Sequence, residues 1–187
     1  MASLVRLGNV LGVAGIALVL LAAFAAQFAL KELPCPLCEL QRVAFVMCGF
    51  GFLLNVRLGS QSTHYGLILI GALFGVAASG RQVLLHIVPG SGAYGSPILG
   101  LHYYSWALLL FVAVIVAVSI LLILGGGARA EHERFDARPA ARFSGIARMA
   151  AYLLIAMTLA NAVMSVAQCG FGECADNPTR YWLLQRL

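Results

Sequence analysis

The stretch VLGVAGIALVLLAAFAAQFAL, residues 10–30, runs for 21 residues with a single polar side chain, Gln27. A helix rising about 1.5 Å per residue covers about 30 Å over that length, the thickness of a bilayer's hydrocarbon core. Four further apolar stretches follow: Val43–Val56, Tyr65–Gly80, Tyr103–Leu124 and Met149–Ala167. The second reaches spanning length if its helix begins near Glu39. The third continues past Arg81 and Gln82 to Leu85, and the fifth carries Asn161 as its strongest polar intruder. The expectation is an all-α polytopic membrane helix bundle, a four-helix core with an additional fifth transmembrane helix. Its spans fall at about 10–30, 39–57, 65–86, 103–124 and 148–167, followed by an outer C-terminal segment, 168–187, all within one membrane domain, 1–187.

Composition supports lipid as the solvent. Apolar residues make up 61% of the 187 and charged residues 10%, against about 25% charged in soluble domains. So little polar surface excludes a disordered chain, a coiled coil and a soluble domain. Ala23-Phe24-Ala25 resembles a signal-peptide cleavage site, but the apolar run exceeds a usual signal core and four more spans follow it.

Twelve basic residues face seven acidic ones. Five arginines, Arg129, Arg134, Arg138, Arg142 and Arg148, share one connector with Glu131, Glu133 and Asp136, which reads as a topology signal and not as a nucleic-acid face. With the N-terminus inside, segments 1–9, 57–64 and 125–148 hold seven arginines; the outer segments hold Lys31, Arg42, Arg81, Arg180 and Arg186. That orientation places Cys35 and Cys38, in the first outer loop, on the same side as Cys169 and Cys174, beyond the fifth span. The outer side of a bacterial inner membrane is where disulfides persist. The outer connector 86–102 is rich in turn formers and is expected against the membrane surface. An aromatic belt of Tyr103, Tyr104 and Trp106 follows, and Tyr181–Leu184 is expected as an interfacial anchor after a turn at 176–178.

Cys35-Pro36-Leu37-Cys38 is the sharpest chemical feature. Two thiols with two residues between them at a helix start can close a small disulfide ring, and the helix N-terminus stabilises a thiolate there. Arg42, one turn after Cys38, adds positive charge on the same face. CxxC is also half of a zinc site, so the four paired cysteines could form a thiolate zinc knot, or each pair could be a structural staple. In Cys169-Gly-Phe-Gly-Glu-Cys174 the two glycines give a flexible ring, suited to reaching another protein's active site or to stapling the last loop. Cys48, in mid-span, reads as a small buried hydrophobe, and Asn161 as a hydrogen-bonding residue toward a neighbouring helix. His64, His102 and His132 receive no role. Arg81 either snorkels to the headgroups or joins His86 in a polar pocket beside Arg42, able to hold the carbonyl oxygens of a lipid-soluble quinone.

On these residues the chain resembles the DsbB family of inner-membrane thiol oxidases. The resemblance rests on Cys35-Pro-Leu-Cys38 followed by Gln41-Arg42, and on Gly80-Arg81-Gln82-Val83-Leu84-Leu85-His86. It rests also on Tyr94-Gly95 through Leu99-Gly100-Leu101-His102 and on the late Cys169/Cys174 pair. It covers about 30 to 175. It implies a multi-pass protein of the bacterial inner membrane with both cysteine pairs on the periplasmic side. A periplasmic DsbA-like thioredoxin-fold partner would attack Cys169–Cys174, electrons would pass to Cys35–Cys38, and Cys38 would reduce a membrane quinone (ubiquinone or menaquinone). Arg42, and with it Arg81 and His86, would bind the quinone; no resident metal and no nucleic acid are expected. The best-known members have four spans and carry the second pair between the third and fourth. Here that loop holds no cysteine and the pair follows a fifth span, so the order of attack on it is open. The vitamin K epoxide reductase family is a second resemblance, although its redox CxxC lies late in the bundle. A thiolate metal-binding or scaffold protein of the membrane is the non-enzymatic alternative.

Overall fold

The structure, a computed structural model, describes residues 2–88, 90, 92–126, 145–170, 172, 174, 178 and 180–183. Five helices carry it: α1 (Ala2–Ala29), α2 (Pro36–Leu58), α3 (Ser62–Leu85), α4 (Tyr103–Leu121), which ends in a wider turn over Leu122–Gly126, and α5 (Gly145–Cys169). All five are long and apolar enough to cross a membrane. Among the described residues the only extended pairing is an isolated bridge between Ile98 and Leu101. Helices suit this solvent because they satisfy every interior backbone group within one segment. The surface agrees: Leu18, Ile70, Leu84 and Met149 all lie exposed, an arrangement that only a lipid environment stabilises along whole helices.

Local chemistry sets the ends. Cys35 caps α2 in an extended conformation and its sulfur accepts the Cys38 N–H; Pro36 follows at the first helical position, and Glu39 sits in the first turn. Proline there loses no helical hydrogen bond, and an acidic side chain favours the positive end of the helix dipole. Gly170, with φ of 65°, ends α5 in the left-handed conformation that glycine adopts without steric cost. α1 begins well before residue 10, and Asn9, outside the expected span, is buried and bonded within it: its amide donates to the Val5 carbonyl and the Tyr65 hydroxyl, each at 2.8 Å. The connector 127–144, with Arg129, Arg134, Arg138, Arg142, Glu131, His132, Glu133 and Asp136, lies outside the described residues. So do residues 176 and 177 of the expected turn, and Leu184.

α2 is the middle of the bundle. It packs on α1, α3 and α5; α4 closes the other side of α3, and α5 lies chiefly against α1. The core is a stack of Phe45 on Phe111, ring centroids 4.0 Å apart, surrounded by Leu20, Phe52, Ile68, Ala72, Val118 and Leu154. Gly71 lets α3 approach α2 closely: a Cβ there would lie 3.2 Å from the Cys48 backbone nitrogen. The Cys48 thiol is buried against the Ile68 carbonyl at 3.5 Å, the small-hydrophobe role its position suggested. Four core helices with a fifth on their flank is the expected fold.

Candidate redox site

Cys35 opens α2 and Cys169 closes α5, so the two elements deliver their sulfurs to the same end of the bundle. Each pair is a disulfide, Cys35–Cys38 with 5.0 Å between Cα atoms and Cys169–Cys174 with 4.7 Å. The Gln168 amide donates to the Pro34 carbonyl at 2.7 Å, a direct tie between the two disulfide-bearing segments. The tail folds back here as well. The Trp182 N–H donates to the Gln168 carbonyl at 3.2 Å, and the Tyr181 hydroxyl accepts from the Gln27 amide at 3.0 Å.

The Cys35–Cys38 disulfide sits among amides. The Gln82 nitrogen lies 3.2 Å from Cys35 Sγ and 3.6 Å from Cys38 Sγ, while the Gln82 oxygen accepts from Gln41 at 2.8 Å. One turn deeper, Arg42 is buried with every acceptor nearby supplied by the fold. Its guanidinium donates to Gln27 Oε1 at 2.8 Å, to Asn161 Oδ1 at 3.0 Å and to the Ala23 carbonyl at 3.2 Å. Glu39 lies 3.7 Å away as its counter-charge and accepts from the Ser165 hydroxyl. A charge inside a span is stable only when paired and hydrogen-bonded in this way, and such residues mark functional sites.

A cavity of about 330 Å³ opens beside them. Leu20, Phe45, Ala107 and Leu110 form apolar walls; Cys38, Gln41, Arg42 and Gln27 face it on one side, and Tyr94, Tyr103 and Trp106 on the other. Cys38, Gln41, Arg42 and Phe45 recur at the spacing that puts residues on one helix face. Tyr94, Gly95 and Ile98 of the 86–102 connector line the cavity, and the connector is tied to the segment that precedes Cys35. The Tyr94 hydroxyl donates to the Leu33 carbonyl, and Ser96 donates to both Glu32 oxygens through its N–H at 3.1 Å and its hydroxyl at 2.6 Å. Burial, and secondarily the Glu32 charge, hold the Tyr94 phenol above its ordinary pKa. The Tyr103 hydroxyl is buried in the wall without a hydrogen-bond partner.

The structure thus brings together Cys35, Cys38 and Arg42, with Cys169 and Cys174 at the same end. Arg81 is exposed, and neither it nor His86 is among the residues lining the cavity. His86 stacks on Tyr104, which does line it, with centroids 5.4 Å apart. Successive helical residues point about 100° apart, so with Arg81 outward it is Gln82 that faces the sulfurs. Asn161 does bond a neighbouring helix, and its partner is Arg42. The sequence places Tyr103 in an aromatic belt and Tyr181 in an interfacial anchor, and assigns neither of them, nor Gln82 or Glu39, to the site. Gln27 had a signal, as the lone polar residue in an apolar 21-residue run.

A membrane helix bundle with two disulfides at one end, one of them at a helix N-terminus beside a buried arginine, defines a membrane thiol–disulfide protein. The family described as Disulfide bond formation protein DsbB matches residues 5–95. Curated relatives named Disulfide bond formation protein B include that of Pseudomonas syringae pv. tomato, 34% identical over 131 residues, covering 52% of this chain and 77% of the relative. That of Nitrosomonas eutropha is 42% identical over 57 residues, covering 28% and 35%, and that of Xylella fastidiosa strain Temecula1 is 35% identical over 72 residues, covering 35% and 42%. The chain therefore spans less than half the length of the latter two relatives. No solved structure matches it significantly. The chain belongs to the DsbB family.

Proposed function

We propose that this chain is a disulfide-generating oxidoreductase of the bacterial inner membrane, passing two electrons from a periplasmic dithiol protein to a membrane quinone. The observation that carries this reading is that Cys38 and Arg42, one helical turn apart, face the same apolar-walled cavity. Its volume lies at the lower end of those that hold small ligands, about 300–1,000 Å³. Apolar walls suit a quinone ring and tail. The donors of Arg42 and the unpartnered Tyr103 hydroxyl suit its two oxygens, so the residues present fit the group. A bound quinone supplies a two-electron, two-proton acceptor that leaves as the quinol.

The chain's own sulfurs do the rest. A thiolate of a reduced thioredoxin-fold (DsbA-like) partner attacks Cys169–Cys174; one S–S bond forms, one breaks, and the partner's second thiol resolves the mixed disulfide. The reduced tail pair then exchanges with Cys35–Cys38 in the same manner. The tie between Gln168 and Pro34 supports this step by holding both segments together. Cys38, on the cavity wall, is the sulfur placed to deliver the electrons, and Arg42 holds negative charge beside it. Arg81 and His86 stand outside the lining and receive no contact in this scheme. The arginine-rich connector 125–148 supports an inward N-terminus and periplasmic cysteines.

The test is quinone reduction by the detergent-purified chain with a reduced thioredoxin-fold dithiol protein. Cys35→Ser and Cys38→Ser each abolish turnover; undiminished turnover in both rejects the relay. Labelling of the reduced cysteines in intact spheroplasts with an impermeant maleimide checks the orientation.

A further inference from the structure

We propose that Gln82 is a catalytic residue of the thiol–disulfide step: its carboxamide N–H groups stabilise the thiolate released when the Cys35–Cys38 disulfide opens. This rests on the redox reading above and adds to it the group that sets how readily the pair exchanges. When an incoming thiolate forms a new S–S bond to one sulfur, the Cys35–Cys38 bond breaks and its electron pair stays on the departing sulfur. That sulfur carries a full negative charge at the moment of departure. A disulfide sulfur is a weak acceptor and a thiolate a strong one, so a donor already in place binds the product of bond breaking far better than the disulfide.

The geometry supplies such a donor. Two N–H groups converge on Cys35 Sγ, the Cys38 backbone N–H at 3.1 Å and the Gln82 amide at 3.2 Å. The same Gln82 nitrogen is 3.6 Å from Cys38 Sγ, so one carboxamide serves whichever sulfur departs. Gln41 donates at 2.8 Å to Gln82 Oε1; that oxygen lies 3.9 Å from Cys38 Sγ, farther than the nitrogen at 3.6 Å, so the donor is the nearer end of the carboxamide. Gln82 is 2% exposed, which keeps water from competing for these donors and strengthens their action on a charge. An amide in a span that only pinned α2 to α3 could bond backbone or the other amide alone; this one spends its donors on the two reacting sulfurs.

The experiment uses the full chain in detergent with Cys48→Ala, Cys169→Ser and Cys174→Ser, leaving only the pair in question. The pair is reduced, and its iodoacetamide alkylation rate is followed against pH; its equilibrium with dithiothreitol is measured at pH 8. Gln82→Leu is expected to raise the apparent pKa of the more acidic thiol by about one unit, the effect of about one charge-assisted hydrogen bond. Alkylation at pH 7 then slows severalfold to tenfold and the dithiothreitol equilibrium shifts toward the disulfide. Gln82→Glu, which sets a carboxylate against the sulfurs, shifts both further in the same direction. Glu39 and Arg42, on the adjacent turn of α2, stay in place throughout. If Gln82→Leu does not fold, Gln41→Leu decides, since freeing the Gln82 amide gives a smaller shift of the same sign. Profiles that superimpose on the parent, with only the melting temperature lowered, make Gln82 a structural pin and overturn the proposal. Neither quinone nor partner protein enters the assay, so a parent chain that fails to reduce quinone would reject the relay and leave this result standing.

Discussion

The side-chain amide of Gln168 donates to the backbone carbonyl of Pro34 at 2.7 Å, and each of these residues immediately precedes a disulfide cysteine. Residues 134 positions apart in sequence thereby hold the end of α5 against the start of α2. Thiol–disulfide exchange requires an attacking sulfur to approach a disulfide directly, and in the proposed relay this bond would hold the two cysteine-bearing segments together for that step.

Gln168→Leu removes that tie. One net hydrogen bond is worth about 0.5–1.5 kcal/mol, and the Gln168 oxygen has no partner to lose. The expected result is a severalfold slower transfer from the reduced Cys169/Cys174 pair to Cys35–Cys38, followed by quenched-flow alkylation. Attack of the partner dithiol on Cys169–Cys174 keeps its rate.

Arg42→Met leaves Gln27, Asn161 and Glu39 without the group they surround. Breaking a buried charged pair on one side costs about 3–5 kcal/mol, so the melting temperature falls. Raising the apparent quinone KM by at least about tenfold, one hydrogen-bonded charge, is the functional consequence, and Arg42→Lys recovers only part of it because the forked geometry is lost. An unchanged KM in a folded variant removes Arg42 from the quinone site.

Tyr103→Phe is the complementary case. Its hydroxyl is buried without a protein partner, so deleting it leaves stability within about 0.5 kcal/mol. Severalfold weaker quinone binding, measured by titration of the resting protein, is expected from one lost hydrogen bond.

The connector lining the cavity is held in part by the Tyr94 hydroxyl donating to Leu33. Its pKa lies above the ordinary tyrosine value, through burial and then through Glu32. A raised pKa means the neutral phenol is favoured in the folded state. The stabilisation is therefore fully present below the unfolded tyrosine value of about 10 and lost as pH rises through the folded value. Amide exchange in residues 92–102 should accelerate in that alkaline window, and Tyr94→Phe should make it fast already at neutral pH.

The positions of the helices were legible because lipid solvation imposes a length and an apolarity that survive in the linear pattern. Only the ends needed more: α1 begins before residue 10, and Asn9 within it is bonded to Tyr65, a partner 56 residues away. The CxxC, its place at a helix start and the turn relating Cys38 to Arg42 were legible for a similar reason, since each is a local relation along one helix. Arg81 and Gln82 were not separable by sequence. Both are polar at the end of an apolar run, and which one points inward depends on the rotation of α3 against α2.

The sequence alone, then, determined a five-span bundle with paired thiols and a basic residue one turn away, because helical periodicity and bilayer thickness act on neighbouring residues. The cavity beside Cys38, the amide shell around Arg42 and the bond from Gln168 to Pro34 were decided only by tertiary packing. Each requires groups from different segments to meet, and the angular setting of one helix against the next is fixed by close approaches such as that at Gly71 and by bonds that cross between segments.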